Sequence, residues 1–450
     1  MLLSEKIHRL FFKINKSLLI SLSFLLLILT GACLLTLPIS HTNGQWHPFI
    51  DALFTATSAS CVTGLAVWDT GNDLSVFGQL VLLFLIQVGG LGIMTVTTLC
   101  TIGLGKRIHI GERLLISESL NQNGPSGILK MTISIIKYTF IIEGFFGTLL
   151  SFYFYDQLGA RAFYLGYWHA ISAFCNAGFD LLGNYTSLVN YQEDYFVNIC
   201  IMCLIILGGI GFTVIDDLHH QRSWRKFALH TKIVLIVNTG LILIGTLGLW
   251  ALEHNNPLTL GSLSTDGQWL ASAFQSVSAR TAGFNTINLG DLSGAALFFL
   301  ITLMYIGASP TSTGGGIKTT TFAVLICSTL AQLRNKQEVV LFRRRLEDST
   351  VAKANSIFIL TTLWLVISFF LLLTLDTGNS SFEFILFELF SAFGTVGLGI
   401  GITGEWNIWC KLILIATMYI GRVGILTFGL SFFNRKLDRV RYPSENIIIG

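Results

Sequence analysis

The sequence predicts an all-α integral membrane protein made of four pseudo-symmetric units. Three observations support this fold class: a strongly apolar composition, apolar runs of membrane-spanning length along the whole chain, and a glycine-containing loop that occurs four times. Of the 450 residues, 52% are hydrophobic and only 12% are charged, whereas soluble domains average about 25% charged residues. The composition excludes a secreted or nucleic-acid-binding protein, and a net charge of +3 is too small to indicate a polyanionic partner.

Eight apolar runs are long enough to cross a bilayer, whose ~30 Å hydrocarbon core needs about 20 helical residues. They lie at residues 17–37, 77–101, 131–155, 196–215, 231–252, 296–333, 356–375 and 410–433. Shorter apolar segments with their following loops are predicted to be re-entrant pore helices, at residues 48–65, 163–180, 266–285 and 380–399. The sequence therefore predicts eight spans and four re-entrant segments.

The fourfold repeat is clearest in the loops that end the short segments. These loops read "SASCVTGL" from Ser58, "SAFCNAGF" from Ser172, "SARTAGF" from Ser278 and "SAFGTVGL" from Ser391. Their aligned glycines, spaced by 114, 105 and 114 residues, are Gly64, Gly178, Gly283 and Gly397. A second glycine motif follows in each unit, beginning at Gln87, Ile206, Tyr305 and Tyr419. Because an internal repeat defines the architecture, we predict units at residues 1–105, 106–225, 226–345 and 346–450, the last with a C-terminal tail.

Charge predicts the orientation of the chain. Nearly all lysines and arginines lie in the N-terminal arm, between the units or in the tail, including Lys6, Arg9, Lys13, Lys106, Arg107, Arg222, Arg225, Lys226, Arg343, Arg344, Arg345, Arg435 and Lys436. The positive-inside rule therefore predicts a multi-pass protein of the cell membrane with both termini in the cytoplasm. Carboxylates such as Asp69 and Asp180 fall on the outer side, where they would concentrate cations.

The four repeated loops are candidate ion-binding segments. Irregular backbone at membrane depth is tolerated only where it is buried in protein or lines a water-filled path, and rings of backbone carbonyls can replace the hydration shell of a cation. Close helix packing at small residues is the alternative, but it accounts for one or two such glycines rather than four, each after a short helix. The predicted filter residues around a single ion pore are Val62, Thr63, Gly64, Asn176, Ala177, Gly178, Thr281, Ala282, Gly283, Thr395, Val396 and Gly397.

The third unit contains a segment that disfavours helix. Its last span is interrupted by "GASPTSTGGGIKT", in which the proline lacks a backbone donor and three consecutive glycines lower helix propensity. A phosphate-binding loop is excluded because Ile317 separates the last glycine from the lysine. We expect the segment Gly307–Thr319 to unwind below the filter, where it can obstruct the path. The predicted gate residues are Gly307, Ala308, Ser309, Pro310, Thr311, Ser312, Thr313, Gly314, Gly315, Gly316 and Lys318.

Ionisable residues inside apolar runs are costly and usually face the protein interior. Arg422 lies where the other units have glycine or alanine, and we predict that it points at the gate carbonyls; a structural pairing without a part in gating is the alternative. For Glu143, helix–helix pairing and a functional role are both open. His219 and His220 are predicted to lie in a solvated loop rather than in a metal site.

These features resemble the Trk/Ktr/HKT superfamily of potassium transporters, and most of all the membrane subunit of Ktr systems. The resemblance covers essentially the whole chain and rests on the four units, "NAGFD" from Asn176, "TAGFN" from Thr281 and the interrupted third unit. It implies that the four loops bind K+, that Gly307–Thr319 is an intramembrane gate and that Arg422 contacts this gate. Gly64 favours potassium, because some sodium-conducting plant members have serine at this position.

The resemblance also implies partners, namely a second copy of the chain in a homodimer and a cytosolic nucleotide-binding regulatory ring formed by a separate chain. K+ is the expected transported ion, sodium coupling is left open, and no organic cofactor is expected. An intramembrane enzyme is disfavoured, because only Glu143 and Arg422 are ionisable deep within the apolar runs and they belong to different units. The alternative function is a sodium-conducting or poorly selective transporter of the same fold.

Overall fold

The computed structural model describes residues 16–103, 113, 114, 116, 117, 127–376, 378, 380–432 and 445. Several basic residues that predict the orientation lie outside the described residues, namely Lys6, Arg9, Lys13, Lys106, Arg107, Arg435 and Lys436. Described basic residues between the units, such as Arg222 and Arg344, are exposed. The cytoplasmic placement of both termini stays a prediction.

The described residues form sixteen α-helices and one β-hairpin, so the chain is mostly helical as predicted. The helices are α1 (Lys16–Thr36), α2 (Phe49–Cys61), α3 (Val76–Leu91), α4 (Ile93–Gly103), α5 (Ile128–Leu158), α6 (Arg161–Phe174), α7 (Tyr195–Gly209), α8 (Phe212–His220), α9 (Leu229–Glu253), α10 (Thr265–Ser278), α11 (Gly294–Tyr305), α12 (Thr319–Leu333), α13 (Asp348–Leu375), α14 (Phe382–Gly394), α15 (Ile408–Val423) and α16 (Ile425–Phe432). The hairpin pairs β1 (Val340–Leu341) with β2 (Arg344–Arg345) in antiparallel register.

The helices pack in a cyclic order. In each quarter of the chain a long helix (α1, α5, α9 or α13) is followed by a short helix that packs against it (α2, α6, α10 or α14). The next helix (α3, α7, α11 or α15) packs against the short helix of the following quarter, and α15 packs against α2 of the first. Because this order closes on itself, the loops that follow the four short helices come together at one centre.

The helices that follow these loops each begin with a side-chain cap. In α3, α7, α11 and α15 the residue before the helix accepts a hydrogen bond from the backbone N–H three residues later, at distances of 3.2, 3.0, 3.3 and 2.9 Å. The capping residues are Ser75, Asp194, Ser293 and Asn407. Such residues are preferred as N-caps because their side chains satisfy a free N–H group of the first turn. The caps therefore fix where each of the four helices begins.

Sharp bends divide two segments that the sequence predicts as single spans, at 77–101 and 196–215. The axes of α3 and α4 meet at 97°, and those of α7 and α8 meet at 95°. Gly92 and Gly211 have positive φ, 82° and 99°, at these two bends. The apolar character of the sequence continues through both bends, so hydropathy does not reveal them. By contrast, α11 and α12 are separated by residues 306–318, where the sequence predicts an interrupted helix.

Within the described residues, four helices are long and apolar enough to cross a membrane, and six segments qualify if each sharply bent pair counts as one. The four helices are α1, α5, α9 and α13, and the bent pairs are α3–α4 and α7–α8. The predicted total of eight spans also needs α11–α12 and α15–α16 to cross, and it stays a prediction.

A buried ion pair joins the last quarter of the chain to the first. Lys411 Nζ on α15 lies 2.7 Å from Asp51 Oδ1 on α2, and the two side chains are only 8% and 15% exposed. A charge that is buried without a partner is much more costly than a buried pair. Removal of either partner alone would therefore weaken the contact at which the cyclic order closes.

We expect Lys411→Met to lower the free energy of unfolding by about 3 kcal/mol, because it leaves the Asp51 carboxylate buried without a partner. Adding Asp51→Asn should recover much of this loss. Thermal melting of the purified protein in detergent measures both effects. The exposed pair of Arg345 with Glu338, at 2.8 Å, gives the matched control, since Arg345→Met should cost less than about 1 kcal/mol. Equal losses at the two pairs would contradict the prediction.

Candidate ion pathway

The four loops after the short helices have the same backbone shape. The residue two positions before the aligned glycine is left-handed in every loop, with φ of 58° at Val62, 61° at Asn176, 72° at Thr281 and 49° at Thr395. The aligned glycines also have positive φ, between 71° and 100°. Residues other than glycine rarely adopt this region, so its occurrence at one repeat position in all four loops indicates a common construction.

The aligned glycines lie against the backbone of the neighbouring loop. A Cβ atom built on each glycine would have a carbonyl oxygen of the next loop as its nearest atom. The distance from this Cβ position to the oxygen is 2.6 Å for Gly64 and Ala177, 2.8 Å for Gly178 and Ala282, and 2.7 Å for Gly283 and Val396. It is shorter still for Gly397 and Thr63. The last of these contacts closes a ring. Side chains do not fit at any of the four positions, so only glycine allows the loops to approach this closely. The structure thus brings the twelve predicted filter residues together.

Serines at the ends of the short helices brace the loops, a feature that the sequence analysis missed. In the first and fourth loops the serine oxygen accepts a hydrogen bond from the N–H of the aligned glycine, at 3.1 Å in both. In the second and third loops the serine donates to the carbonyl of the residue after the glycine. The serines are Ser58, Ser172, Ser278 and Ser391. Because each of the four repeated motifs begins with this serine, alignment of the repeats could have indicated its structural role.

Each short helix also carries a buried aromatic residue followed by a buried polar one, all at most 2% exposed. The pairs are Phe54–Thr55, Trp168–His169, Phe274–Gln275 and Phe387–Glu388. The N–H of Leu181 donates to His169 Nε2 at 3.4 Å, and the N–H of Ile400 donates to Glu388 Oε1 at 3.0 Å. Both N–H groups lie three residues beyond the aligned glycine. The second and fourth loops are therefore also held by their own short helices beyond that glycine.

A cavity of about 410 Å³ adjoins one side of the ring. Its lining includes the four glycines and the carboxylates of Asp69, Asp180 and Glu388, and no lysine or arginine among the described lining residues. Two of these carboxylates also order the local backbone, since Asp69 accepts from the Gly71 N–H at 3.0 Å and Asp180 from the Leu182 N–H at 2.9 Å. The cavity, which we call the outer cavity, therefore presents negative charge that attracts cations.

The predicted gate segment fills the space on the opposite side of the ring. Its two arms, residues 307–309 and 314–317, are joined by backbone hydrogen bonds, from the Gly307 N–H to the Ile317 carbonyl at 2.9 Å and from the Ala308 N–H to the Gly315 carbonyl at 3.3 Å. The Gly315 N–H donates to the Thr395 hydroxyl at 3.0 Å, and a Cβ on Gly314 would collide with the Thr281 hydroxyl. Because Thr281 and Thr395 are left-handed residues of two ring loops, the segment lies directly against the ring.

The end of α7 anchors this segment. The N–H groups of Ser309 and Thr313 donate to the carbonyls of Gly209 and Gly208, at 3.1 and 3.2 Å. These carbonyls belong to the last turn of α7, where a helix has no donors of its own to offer them. The bend after α7 thus leaves acceptors that the gate segment uses.

Arg422 on α15 connects the gate segment to the first quarter of the chain. Its guanidinium donates to the carbonyl of Thr313 in the segment. It also donates to the carbonyls of Gly89 and Gly90 in the last turn of α3, the second at 3.0 Å. The sequence analysis anticipated the first contact and missed the other two. Arg422 therefore holds three parts of the chain together through backbone oxygens.

A second cavity, of about 270 Å³, lies on the gate side and is called the inner cavity. Arg422 and Lys318 line it, and its described lining residues include no carboxylate. Lys318 Nζ donates to the carbonyl of Gly314 at 2.5 Å. The charge here is opposite to that of the outer cavity and repels a cation.

The other residues singled out by the sequence lie outside the four loops. Glu143 on α5 accepts hydrogen bonds from the Gln87 side chain on α3 at 3.1 Å and from the thiol of Cys175, the residue before Asn176 of the second loop, at 3.9 Å. It therefore joins helices next to that loop. His219 and His220 form the last turn of α8, exposed to solvent, and not a loop as predicted. The described residues contain no cluster of three or more side chains that could hold a metal ion.

A helical fold with four loops around one centre, carboxylates on one side and an irregular plug on the other, defines the class of membrane proteins that conduct cations. Comparison with known proteins agrees with this class. The family model described as "TrkH: Cation transport protein" matches residues 12–439. The chain therefore belongs to this family, as the resemblance predicts, and it is a transporter and not an enzyme.

Several relatives and a solved structure support the same assignment. The chain is 43% identical to the Ktr system potassium uptake protein B of Bacillus subtilis over 433 residues, 96% of each protein. It is 39% identical to the potassium/sodium uptake protein NtpJ of Enterococcus hirae over 438 residues, again 96% of each. The crystal structure of the potassium transporter TrkH from Vibrio parahaemolyticus shares the fold, with a TM-score of 0.70 at 19% identity over 91% of this chain and 84% of that chain.

We expect Gly64→Ser to reduce the selectivity between K+ and Na+ about tenfold or more, a change of about 1.4 kcal/mol. The added side chain meets the Ala177 carbonyl and displaces an oxygen of the ring. Gly401→Ser is the matched control, because Gly401 also has positive φ, 94°, but nothing lies within 4 Å of its Cβ position. Cation-dependent thermal stabilisation and flux into liposomes measure the effect. Unchanged selectivity in Gly64→Ser, or an equal loss in the control, would show that the ring is not the filter.

Proposed function

We propose that the chain is the membrane subunit of a potassium uptake system and conducts K+ through the ring of four loops. The observation that carries this proposal is the close approach of four glycines, each to a carbonyl oxygen of the next loop. A K+ ion that sheds its water needs a shell of oxygens in exchange, and the ring gathers backbone carbonyls at one centre. Relatives named as Ktr system potassium uptake proteins, at 40% to 43% identity, support the choice of ion.

The proposed topology has eight spans and four re-entrant short helices in the plasma membrane. In each unit a long helix crosses first, the short helix enters from outside, and the pair α3–α4, α7–α8, α11–α12 or α15–α16 crosses back. The units are residues 1–105, 106–225, 226–345 and 346–450, with both termini in the cytoplasm. Exposed basic residues between the units support this orientation, among them Arg222, Arg225, Lys226, Arg343, Arg344 and Arg345.

The charges of the two cavities favour entry of a cation from the outer cavity and oppose its passage beyond the filter while the gate is closed. The carboxylates of the outer cavity raise the local concentration of K+ at the entrance to the filter. Beyond the filter the ion meets the gate segment Gly307–Thr319, which obstructs the path, while Arg422 and Lys318 oppose it electrostatically. The membrane potential supplies the driving force, about 2.3 kcal/mol per charge for each 100 mV.

The proposed assembly is a homodimer bound to a cytosolic ring of nucleotide-binding regulatory subunits. Support comes from the resemblance and from relatives that are named as proteins of Ktr systems. Size-exclusion chromatography with light scattering gives the mass of the purified chain with and without the regulatory subunit. A single copy of the chain in both samples would contradict the proposed assembly.

Restored growth of cells that lack their own potassium uptake tests the function directly. Expression of this chain with a regulatory subunit should permit growth at low K+ and accelerate rubidium uptake. The alternative is a sodium-conducting or poorly selective transporter, which the likeness to a protein named for both ions keeps open. Sodium uptake at the same rate as rubidium uptake would favour that alternative, and a requirement for external Na+ during rubidium uptake would indicate coupling.

Deletion of Ser309–Gly316 should raise the cation flux of the isolated membrane subunit about tenfold or more, because the obstruction is removed while the filter remains. Arg422→Ala should raise the flux less, since the segment loses its hydrogen bond to Arg422 but still fills the space. Flux into liposomes measures both. Arg345→Ala, which removes an exposed arginine that lines neither of the two cavities, is the charge-matched control and should change nothing. A folded deletion variant with flux at or below that of the wild type would place the gate elsewhere.

A further inference from the structure

Arg280 is a buried arginine in the third loop of the ring. It immediately precedes the left-handed residue Thr281, and only 7% of its surface is exposed. Arg280 lies three residues before the aligned glycine of its loop. The same position in the other loops holds Cys61, Cys175 and Gly394. The unit that contains the gate segment is thus the one that carries a charge at this position.

The Arg280 guanidinium reaches the start of the gate segment. Its Nη2 donates to the carbonyl of Gly307 at 3.4 Å, and its Nε has no hydrogen-bond partner. No carboxylate forms an ion pair with it within the described part of the chain. A buried charge without a countercharge is costly, whereas the thiols and the glycine of the other loops fold without that cost. Side-chain packing alone therefore does not explain why an arginine occupies this position.

Two neighbouring residues of the third loop contact both arms of the gate segment. Arg280 holds the first arm through the Gly307 carbonyl. The Thr281 hydroxyl lies against Gly314, where the second arm begins. Because a single peptide unit joins Arg280 to Thr281, displacement of either arm acts on the same stretch of loop backbone.

Asn238 on α9 holds the first arm in a different way. Its Nδ2 donates to the Ser309 hydroxyl at 3.0 Å and to the Val234 carbonyl of its own helix at 2.7 Å. A small cavity of about 20 Å³ lies between Asn238 and Arg280. The hydrogen bonds of Asn238 thus tie the gate to a long helix, whereas the hydrogen bond of Arg280 ties it to the ring.

We propose that Arg280 is a positioning residue that couples the gate segment to the third filter loop, so that displacement of the gate changes the affinity of the filter for K+. By linkage, K+ in the filter then changes the equilibrium of the gate by the same factor. This inference rests on the proposed function, because it takes the ring as the K+ filter.

The test measures the K+ affinity of the full-length purified chain from the dependence of its melting temperature on K+ concentration. In the wild-type background, deletion of Gly307–Gly316, which removes the partners of both Arg280 and Asn238, should change this affinity about fivefold or more. In the Arg280→Met background the same deletion should change it less than about twofold, because the coupling is lost. Asn238→Leu is the matched control: it removes a hydrogen bond to the same arm, and the full effect of the deletion should remain.

An equal effect of the deletion in the wild-type and Arg280→Met backgrounds would overturn the proposal, even if Arg280→Met lowers stability or K+ affinity by itself. Loss of the effect in Asn238→Leu would overturn it too, because the coupling would then not belong to Arg280. If Arg280→Met does not fold, Arg280→Gln replaces it with the same expected result, since the shorter side chain does not reach Gly307. A wild-type chain without K+-dependent stabilisation would overturn the proposed function before any change at Arg280.

Discussion

The backbone contacts between four glycines and their neighbouring loops are the constraint on which the rest of the structure depends. Each glycine lies nearer to a carbonyl of the next loop than a Cβ atom permits. The cyclic packing of the short helices, the serine braces and the contacts of His169 and Glu388 hold the loop backbones within that distance. The ring therefore depends on the precision of the helix framework around it.

The asymmetric features of the path are departures from this fourfold framework. The third unit interrupts its last helix, and the fourth unit has Arg422 where others have glycine or alanine. The third loop has Arg280 where others have cysteine or glycine. The repeated positions build the ring, and the positions that break the repeat place positive charge and irregular backbone on the side of the ring where the gate segment lies.

Much of the ring could be predicted because its parts leave local marks in the sequence. The spacing of the glycines, the short apolar segments and the helix-breaking residues of Gly307–Thr319 each indicate a feature within one unit. The bends at Gly92 and Gly211 could not be predicted, because hydropathy is unchanged through them and glycine is common in membrane helices. The contacts of Arg422 with α3 depend on how separate units pack, which the sequence of one unit does not show. The contact of Arg280 with the gate lies within the third unit, but it joins a loop and a segment that only folding brings together.

The carbonyls at the ends of α3 and α7 have a consequence for the side of the ring where the gate segment lies. They now accept hydrogen bonds from Arg422 and from the N–H groups of Ser309 and Thr313. A helix C-terminus carries a partial negative charge of about half an elementary charge, and a buried carbonyl without a donor is unfavourable. If the gate segment leaves as proposed, water or a passing cation must take the place of its donors at the end of α7, whereas Arg422 still caps the end of α3. Opening would then wet this side of the path and leave the end of α7 as a dipole that favours a cation.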